Sequence, residues 1–331
     1  MSENKGVLVY CETADGKLTS IAIELLGAGS RLVSTSGEGL NAVIIGSSIS
    51  NLAQEAIAYG ARNVYVIEDP YFEHYATESY LMVLEKVVRQ VAPDIMLLGQ
   101  TAAGRDLAPW LAFHLNTEAT MDCTALEIDP AGKRLLMTRP VYGGNAQVVQ
   151  VCDTDPQIAT IRAKAIAPAA KDSTRQGQVI HVAAEIDPSS FKTSVVDRKA
   201  EATSGVRLEE ARVVIAGGRG MGSADGFKQL EEIAGLMKGA VGATRPPCDK
   251  KWISDSRQIG LTGKVVSPDL YIAVGLSGAS QHLSGFSSAK VIVAINKDPE
   301  ANIFKVAHYG IVADWKAVLP AFVGRLKEIK G

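Results

Sequence analysis

Residues 270–298 read LYIAVGLSGASQHLSGFSSAKVIVAINKD. Leu270–Val274 and Val291–Ile295 are brief apolar runs of the kind that form strands buried on both faces of a parallel sheet. Between them, a polar glycine loop, Gly275 to Ala279, leads into a short helix expected over Ser280–Leu283. Strand, loop, helix and returning strand make a βαβ unit, and such units stack into a doubly wound α/β layer. The rhythm extends outward on both sides. Upstream, strands at Val213–Ala216 and Ala240–Ala243 flank a helix at Asp225–Met237; downstream come a strand at Ile311–Ala313 and a last helix at Trp315–Ile329.

A second layer is written nearer the N-terminus. Val7–Tyr10, Ala42–Ile45, Val64–Ile67 and Ile95–Leu98 alternate with Leu18–Ala28, Ser50–Tyr59, Tyr75–Val91 and Gly104–Leu115, which carry apolar residues at helical spacing. After Cys123 the helices stop. Leu126–Ile128, Leu135–Thr138, Gln147–Val151 and Ile158–Ile161 follow one another directly, so an antiparallel extension of the sheet is expected, joined in part by a Gly143-Gly144-Asn145 turn. From about Ile186 the composition shifts to Asp, Pro, Ser, Lys, Thr and Glu, through Asp187-Pro188-Ser189-Ser190 and Ala200–Gly205. The expected architecture is two doubly wound, Rossmann-like α/β domains, 1–188 and 207–331, with 189–206 as the linker.

Composition narrows the function. The 331 residues carry 34 Lys plus Arg against 36 Asp plus Glu and are 47% hydrophobic. That is enough apolar material for two cores and too much for a disordered scaffold. A net charge of -2 argues against broad binding to nucleic acid or anionic lipid. No apolar run approaches the ~18 residues of a membrane span. The chain enters an apolar run at Val7, leaving no room for a signal or transit peptide, so a cytoplasmic location is expected. Cys11, Cys123, Cys152 and Cys248 are widely spaced and read as reduced structural thiols.

In an open α/β sheet, ligands bind beyond the carboxyl ends of the strands. In the second domain those ends lead into Gly217-Gly218-Arg219-Gly220-Met221-Gly222, Thr244-Arg245-Pro246-Pro247, Gly275 to His282, Asn296-Lys297-Asp298-Pro299 and Asp314. Five successive strand ends deliver glycines, hydroxyls, cations and amides to one edge, which is a nucleotide site. The first loop resembles a dinucleotide fingerprint but fails it. From Gly218 it runs G-x-G-x-x-S, and no acidic residue follows ~20 positions on. The Ser277-Gly278 loop suits a pyrophosphate better, because its glycines allow close backbone approach and a helix start follows. No acid/base pair, nucleophile or metal cluster emerges, and His74, His114, His181 and His308 are scattered.

The segment from Leu270 to His282, continuing through Gly285 to Val293–Asp298, is similar to the signature of the electron transfer flavoprotein α subunit. Gly217–Gly220, Val241–Pro246, Gln258–Lys264 and Tyr309–Asp314 match that family in the expected order. In the first domain the match is loose, through Asp106–Pro109 and the Gly143–Asn145 turn. The resemblance implies one FAD in the second domain, and pairing with a β subunit against which the first domain packs. It also implies relay of single electrons from donor dehydrogenases, such as acyl-CoA dehydrogenases, to an acceptor protein.

Carried over by position, the FAD contacts are Arg219, Thr244, Arg245, Ile259, Gly260, Leu261, Thr262, Ser277, Gly278, Ala279, Ser280, Gln281, His282, Asn296, Asp314 and Trp315. In that reading His282 donates to the N1 and C2-carbonyl end of the reduced ring, Thr262 bonds N5 and Arg245 attracts the negative charge. Ser277 holds the pyrophosphate, and Asn296 and Asp314 the ribose. Leu261 stands where the pattern carries Gln and cannot hydrogen-bond the ring. Two rivals stay open at this level. One is a flavin- or NAD-dependent enzyme with its own small substrate; the other is an electron-bifurcating version with a second FAD in the β subunit.

Overall fold

A computed structural model of the chain describes residues 6–36, 39–144, 146–197 and 206–330. Asn145 of the expected turn and Ala200–Gly205 of the expected linker lie outside them. The chain divides into two compact units, Met1–Pro140 with Gln147–Lys199, and Val141–Ala146 with Ala200–Gly331.

The elements run in order as β1 (Val7–Tyr10), a small hairpin of β2 (Thr13–Ala14) and β3 (Lys17–Leu18), α1 (Ser20–Ser36), β4 (Leu40–Gly46), α2 (Leu52–Ala58) and β5 (Asn63–Glu68). They continue as α3 (Thr77–Val91), β6 (Ile95–Gly99), α4 (Ala102–Leu115), β7 (Ala119–Cys123), β8 (Ala125–Ile128), β9 (Leu135–Val141), β10 (Ala146–Gln150), β11 (Gln157–Ile161) and β12 (Gln178–His181). Seven of these strands form one parallel sheet, ordered β12-β5-β4-β1-β6-β11-β7. Successive side chains on β1 alternate between two cores. Val7 and Val9 pack with α1 and α2, while Leu8 and Tyr10 pack with α3 and α4.

One expectation is corrected here. Ile158–Ile161 does not extend the sheet in antiparallel fashion, because β11 inserts between β6 and β7 and runs parallel to both. The return from β7 to β11 is made by β8, β9 and β10, which form their own three-stranded sheet with β8 and β9 antiparallel. A parallel crossover needs enough chain to return to the other end of the sheet, and a small sheet supplies that as well as a helix does. The edge strand β12 lacks an apolar run because it is mostly exposed.

The second unit continues with β13 (Val213–Gly217), α5 (Ala224–Met237), β14 (Ala240–Ala243), α6 (Arg245–Asp249), β15 (Leu270–Val274), α7 (Ser280–Leu283), β16 (Val291–Asn296), β17 (Tyr309–Val312) and α8 (Trp315–Lys330). Its five strands are all parallel, ordered β14-β13-β15-β16-β17. Ile215, Ile272 and Val274 pack with α5 and α8, while Val214, Tyr271 and Ala273 face Phe286 and Ile303 on the other side. A short helix, α6, stands where a loop is expected; Pro246 at its start presets φ for the turn.

Because the second unit holds two cores of its own, fragment 206–331 is expected to fold alone. Circular dichroism during urea unfolding checks this; absence of a cooperative transition would mean that the second unit depends on the first.

Candidate cofactor site

From β13 the chain crosses to β14 on one side and then to β15 on the other, so the switch point of the second sheet lies between β13 and β15. The loops leaving these two strands lie backbone against backbone. Gly218 N–H donates to the Val274 carbonyl at 2.9 Å, and Gly220 N–H to the Gly275 carbonyl at 2.9 Å. A Cβ on Gly218 would sit 2.3 Å from the Gly275 carbonyl oxygen and 2.5 Å from Leu276. That is a hard clash, so the glycine run that fails the dinucleotide pattern is required for loop-to-loop contact. Trp315 donates its indole N–H to the Gly220 carbonyl at 2.9 Å and fastens the same loop to the start of α8.

A cavity of about 840 Å³ opens at this point. Its wall includes Arg219, Thr244, Arg245, Ile259, Gly260, Leu261, Thr262, Ser277, Ala279, Gln281, His282 and Asn296. Asp314 and Trp315 line a smaller adjoining cavity of about 180 Å³ that shares Gly220, Gly275, Asn296 and Lys297 with the first. Gly278 and Ser280 do not line either cavity. Gly278 turns the loop at φ +79, where an added Cβ would meet Ile303 N at 2.4 Å. Lys297 and Gln258 also line the main cavity, though neither is among the FAD contacts carried over by position. Lys297 was legible, being a cation at a strand end; Gln258 sits in an irregular segment with no periodic signal.

The segment Gln258–Lys264 is built onto α7. Its start pairs with the end of β14, Ile259 N–H donating to Ala243 O at 2.9 Å. Leu261 N–H then donates to the Gln281 carbonyl at 2.8 Å. Gly260, at φ +144, passes so close that a Cβ would lie 2.7 Å from that carbonyl. Leu261 is left 62% exposed at the cavity wall, and the Thr262 hydroxyl accepts from Gln258 Nε2 at 3.0 Å.

His282 departs from expectation. It is 5% exposed, with Nδ1 at 2.8 Å from the Ile259 carbonyl and Nε2 at 2.9 Å from the Tyr271 hydroxyl. A carbonyl only accepts, so Nδ1 carries the proton. Burial pushes the ring's pKa down to about 4, so the ring is neutral near pH 7 and Nε2 accepts from Tyr271. Both nitrogens therefore face protein groups, and the side chain is not disposed as a donor to a ligand. Asn296 and Asp314 also have local duties. Asn296 Nδ2 donates to the Leu276 carbonyl at 2.8 Å, and Asp314 Oδ1 caps α8 by accepting from Lys316 N–H at 2.9 Å.

The first sheet also has a switch point, between β1 and β6, and it is furnished in the opposite sense. There Thr101 caps α4, accepting from Gly104 N–H at 3.0 Å and donating to the Glu12 carboxylate at 2.7 Å. Burial pushes Glu12 up to about 7, against the opposing pull of the Thr101 hydroxyl. A buried carboxyl in that position takes up the Thr101 hydroxyl and, where ionised, repels the phosphate that a nucleotide would bring.

Residues 7–187 match the electron transfer flavoprotein domain family, and residues 207–287 match the electron transfer flavoprotein FAD-binding domain family. The chain is 43% identical over 331 residues to the electron transfer flavoprotein subunit alpha of Thermoanaerobacterium thermosaccharolyticum, covering 100% of both chains. It is 43% identical to the subunit of the same name from Bacillus subtilis, covering 98% of each chain. To the protein FixB of Clostridium saccharobutylicum it is 37% identical, covering 99% of this chain and 98% of the other.

Glu12 sets a pH test. The folded chain keeps a proton that the unfolded chain loses above about 4.5, so the first unit should lose stability as pH rises from about 5 to about 7, then level off. Glu12→Gln should remove that loss and stand about 1–3 kcal/mol above wild type at pH 8. Urea titrations at pH 5 and pH 8 decide it: an equal decline in both proteins refutes the role of this carboxyl.

Proposed function

The chain belongs to the electron transfer flavoprotein α-subunit family, and we propose that it relays electrons from dehydrogenases, acyl-CoA dehydrogenases among them, to a downstream acceptor. Its cofactor is FAD, and the family works with a β subunit. The observation that carries the reading is the cavity of about 840 Å³ at the switch point of the second sheet. That volume lies in the upper part of the range for small-molecule sites, as a dinucleotide requires.

The residues present fit the group. Arg219, Arg245 and Lys297 put three cations on the wall against the one acid Asp298, which suits two phosphates. Ser277 and Ala279, both on the wall, hold the pyrophosphate in this reading. Ile259, Leu261 and Leu276 offer an apolar surface to a ring system, and Thr244, Thr262 and Gln281 supply polar contacts at its edge. The smaller cavity at Asp314 and Trp315 takes the ribose end. Bound FAD supplies the redox chemistry, accepting and giving up electrons singly. The chain binds it, orients it and sets the field around it. Arg245 opens α6 from the wall and is paired only loosely, its Nε 3.4 Å from Asp249 across an exposed helical turn. Its charge therefore remains available to a ligand and favours negative charge in the cavity.

The purified complex with the β subunit should be yellow, with one FAD per heterodimer. Two FAD per heterodimer would favour the bifurcating alternative, with the second in the β subunit. Absence of flavin absorbance, unrestored by added FAD, would sink the assignment. Arg245→Ala should weaken FAD binding by about three- to tenfold and lower the flavin potential, as loss of one exposed charge contact implies. Calorimetry and redox titration read both. Unchanged values would remove Arg245 from the site.

A further inference from the structure

Tyr271 does not line the cavity; it is the second residue of β15, the central strand of its sheet, and is fully buried. Its ring stacks on Phe286 with centroids 3.8 Å apart and planes within 1°. Its hydroxyl meets His282 Nε2 at 2.9 Å, and on the far side of that imidazole Nδ1 meets the Ile259 carbonyl at 2.8 Å. A chain of hydrogen bonds thus runs from the most central part of the second sheet, through the first helix past the glycine loop, into the segment that carries Leu261 and Thr262. We infer that Tyr271 is a positioning residue of the cofactor site, which locks His282 in the Nδ1-protonated tautomer and thereby holds the segment Ile259–Thr262 against α7.

The chemistry has one consistent direction. The Ile259 carbonyl demands a proton on Nδ1, and that leaves Nε2 as a bare acceptor inside the core. A buried acceptor without a donor is costly, and among neighbouring side chains the Tyr271 phenol meets it. Without that phenol, the ring satisfies Nε2 only by turning or by exchanging tautomers, and either move releases the Ile259 carbonyl. The tautomer it selects is the less common one of a free imidazole, so the lock has a spectroscopic mark. The contrast lies within the same unit: His308 Nδ1 accepts from the Ile292 N–H at 3.0 Å, which puts the His308 proton on Nε2. The inference rests on the cavity being the FAD site only for its last consequence, the effect on affinity; the tautomer and the held segment are properties of the chain itself.

Tyr271→Phe removes the hydroxyl and keeps the ring on Phe286. In the full-length chain, labelled with ¹⁵N in its histidine rings and freed of flavin, the two-bond proton–nitrogen spectrum near pH 7 should show His282 protonated at Nδ1 and bare at Nε2. The assignment follows from loss of that pattern in His282→Gln. In Tyr271→Phe the pattern should vanish, and amide exchange across Gln258–Lys264 should quicken by about fivefold, the worth of one neutral hydrogen bond. FAD affinity should fall by a similar factor. A wild-type ring protonated at Nε2, or at both nitrogens, overturns the lock whether or not the variant folds. An unchanged ring pattern or unchanged exchange in a folded Tyr271→Phe protein overturns the positioning role, even if FAD affinity drops. Wild-type chain that shows the lock and the held segment but binds no FAD overturns the site assignment instead.

Discussion

Two strand-end loops in contact through bare backbone are the constraint on which the second unit's site depends. At the switch point β13 and β15 lie side by side, and the chains leaving them are a strand spacing apart. Side chains there would push the loops apart and fill the space above the sheet. Gly218 and Gly220 instead donate to Val274 and Gly275. The cavity is what remains when the backbones pack down and the neighbouring strand ends contribute Arg219, Arg245 and Lys297 around the rim. Trp315 ties the same loop to α8, so the last helix is coupled to the site by one indole hydrogen bond.

The electrostatics of the cavity follow from which groups are exposed and which are buried. Its cations are long, solvated side chains at the rim, free to reorient toward phosphate. Its imidazole is buried and neutral, and works as a structural pin. A charged imidazole in that place would have to give up hydration with no anion in reach, which is why burial drives its pKa down. Positive charge near a ligand is thus adjusted by arginine and lysine, whose charge does not vary near neutral pH.

Both units obey the same rule for parallel sheets, yet their switch points are furnished differently among the described residues. In the first unit the switch point holds Glu12, bonded to the very hydroxyl that caps α4. The helix start that would greet a phosphate is closed off by an acid. The fold supplies the location in each case; a few residues decide whether it is a site.

Much of this was legible in the sequence, because much of it is a local demand on the backbone. Five-residue apolar runs announce buried parallel strands, and β14, β15 and α7 fall at the residues their patterns predict. Glycines at strand ends announce close approach, and the strand-end rule gathers most of the cavity wall from the order of residues alone. Tertiary structure decided the rest. β11 reads as one more strand of a meander until the sheet places it between β6 and β7. His282 reads as a ligand donor until Ile259, 23 residues away, and Tyr271, 11 residues away, take its two nitrogens. Periodicity and turn chemistry act over a few residues and leave their mark in the order of the amino acids. Strand insertion and the partner of a buried nitrogen are settled between distant segments by the packing of the whole domain, and no short stretch of sequence records that outcome.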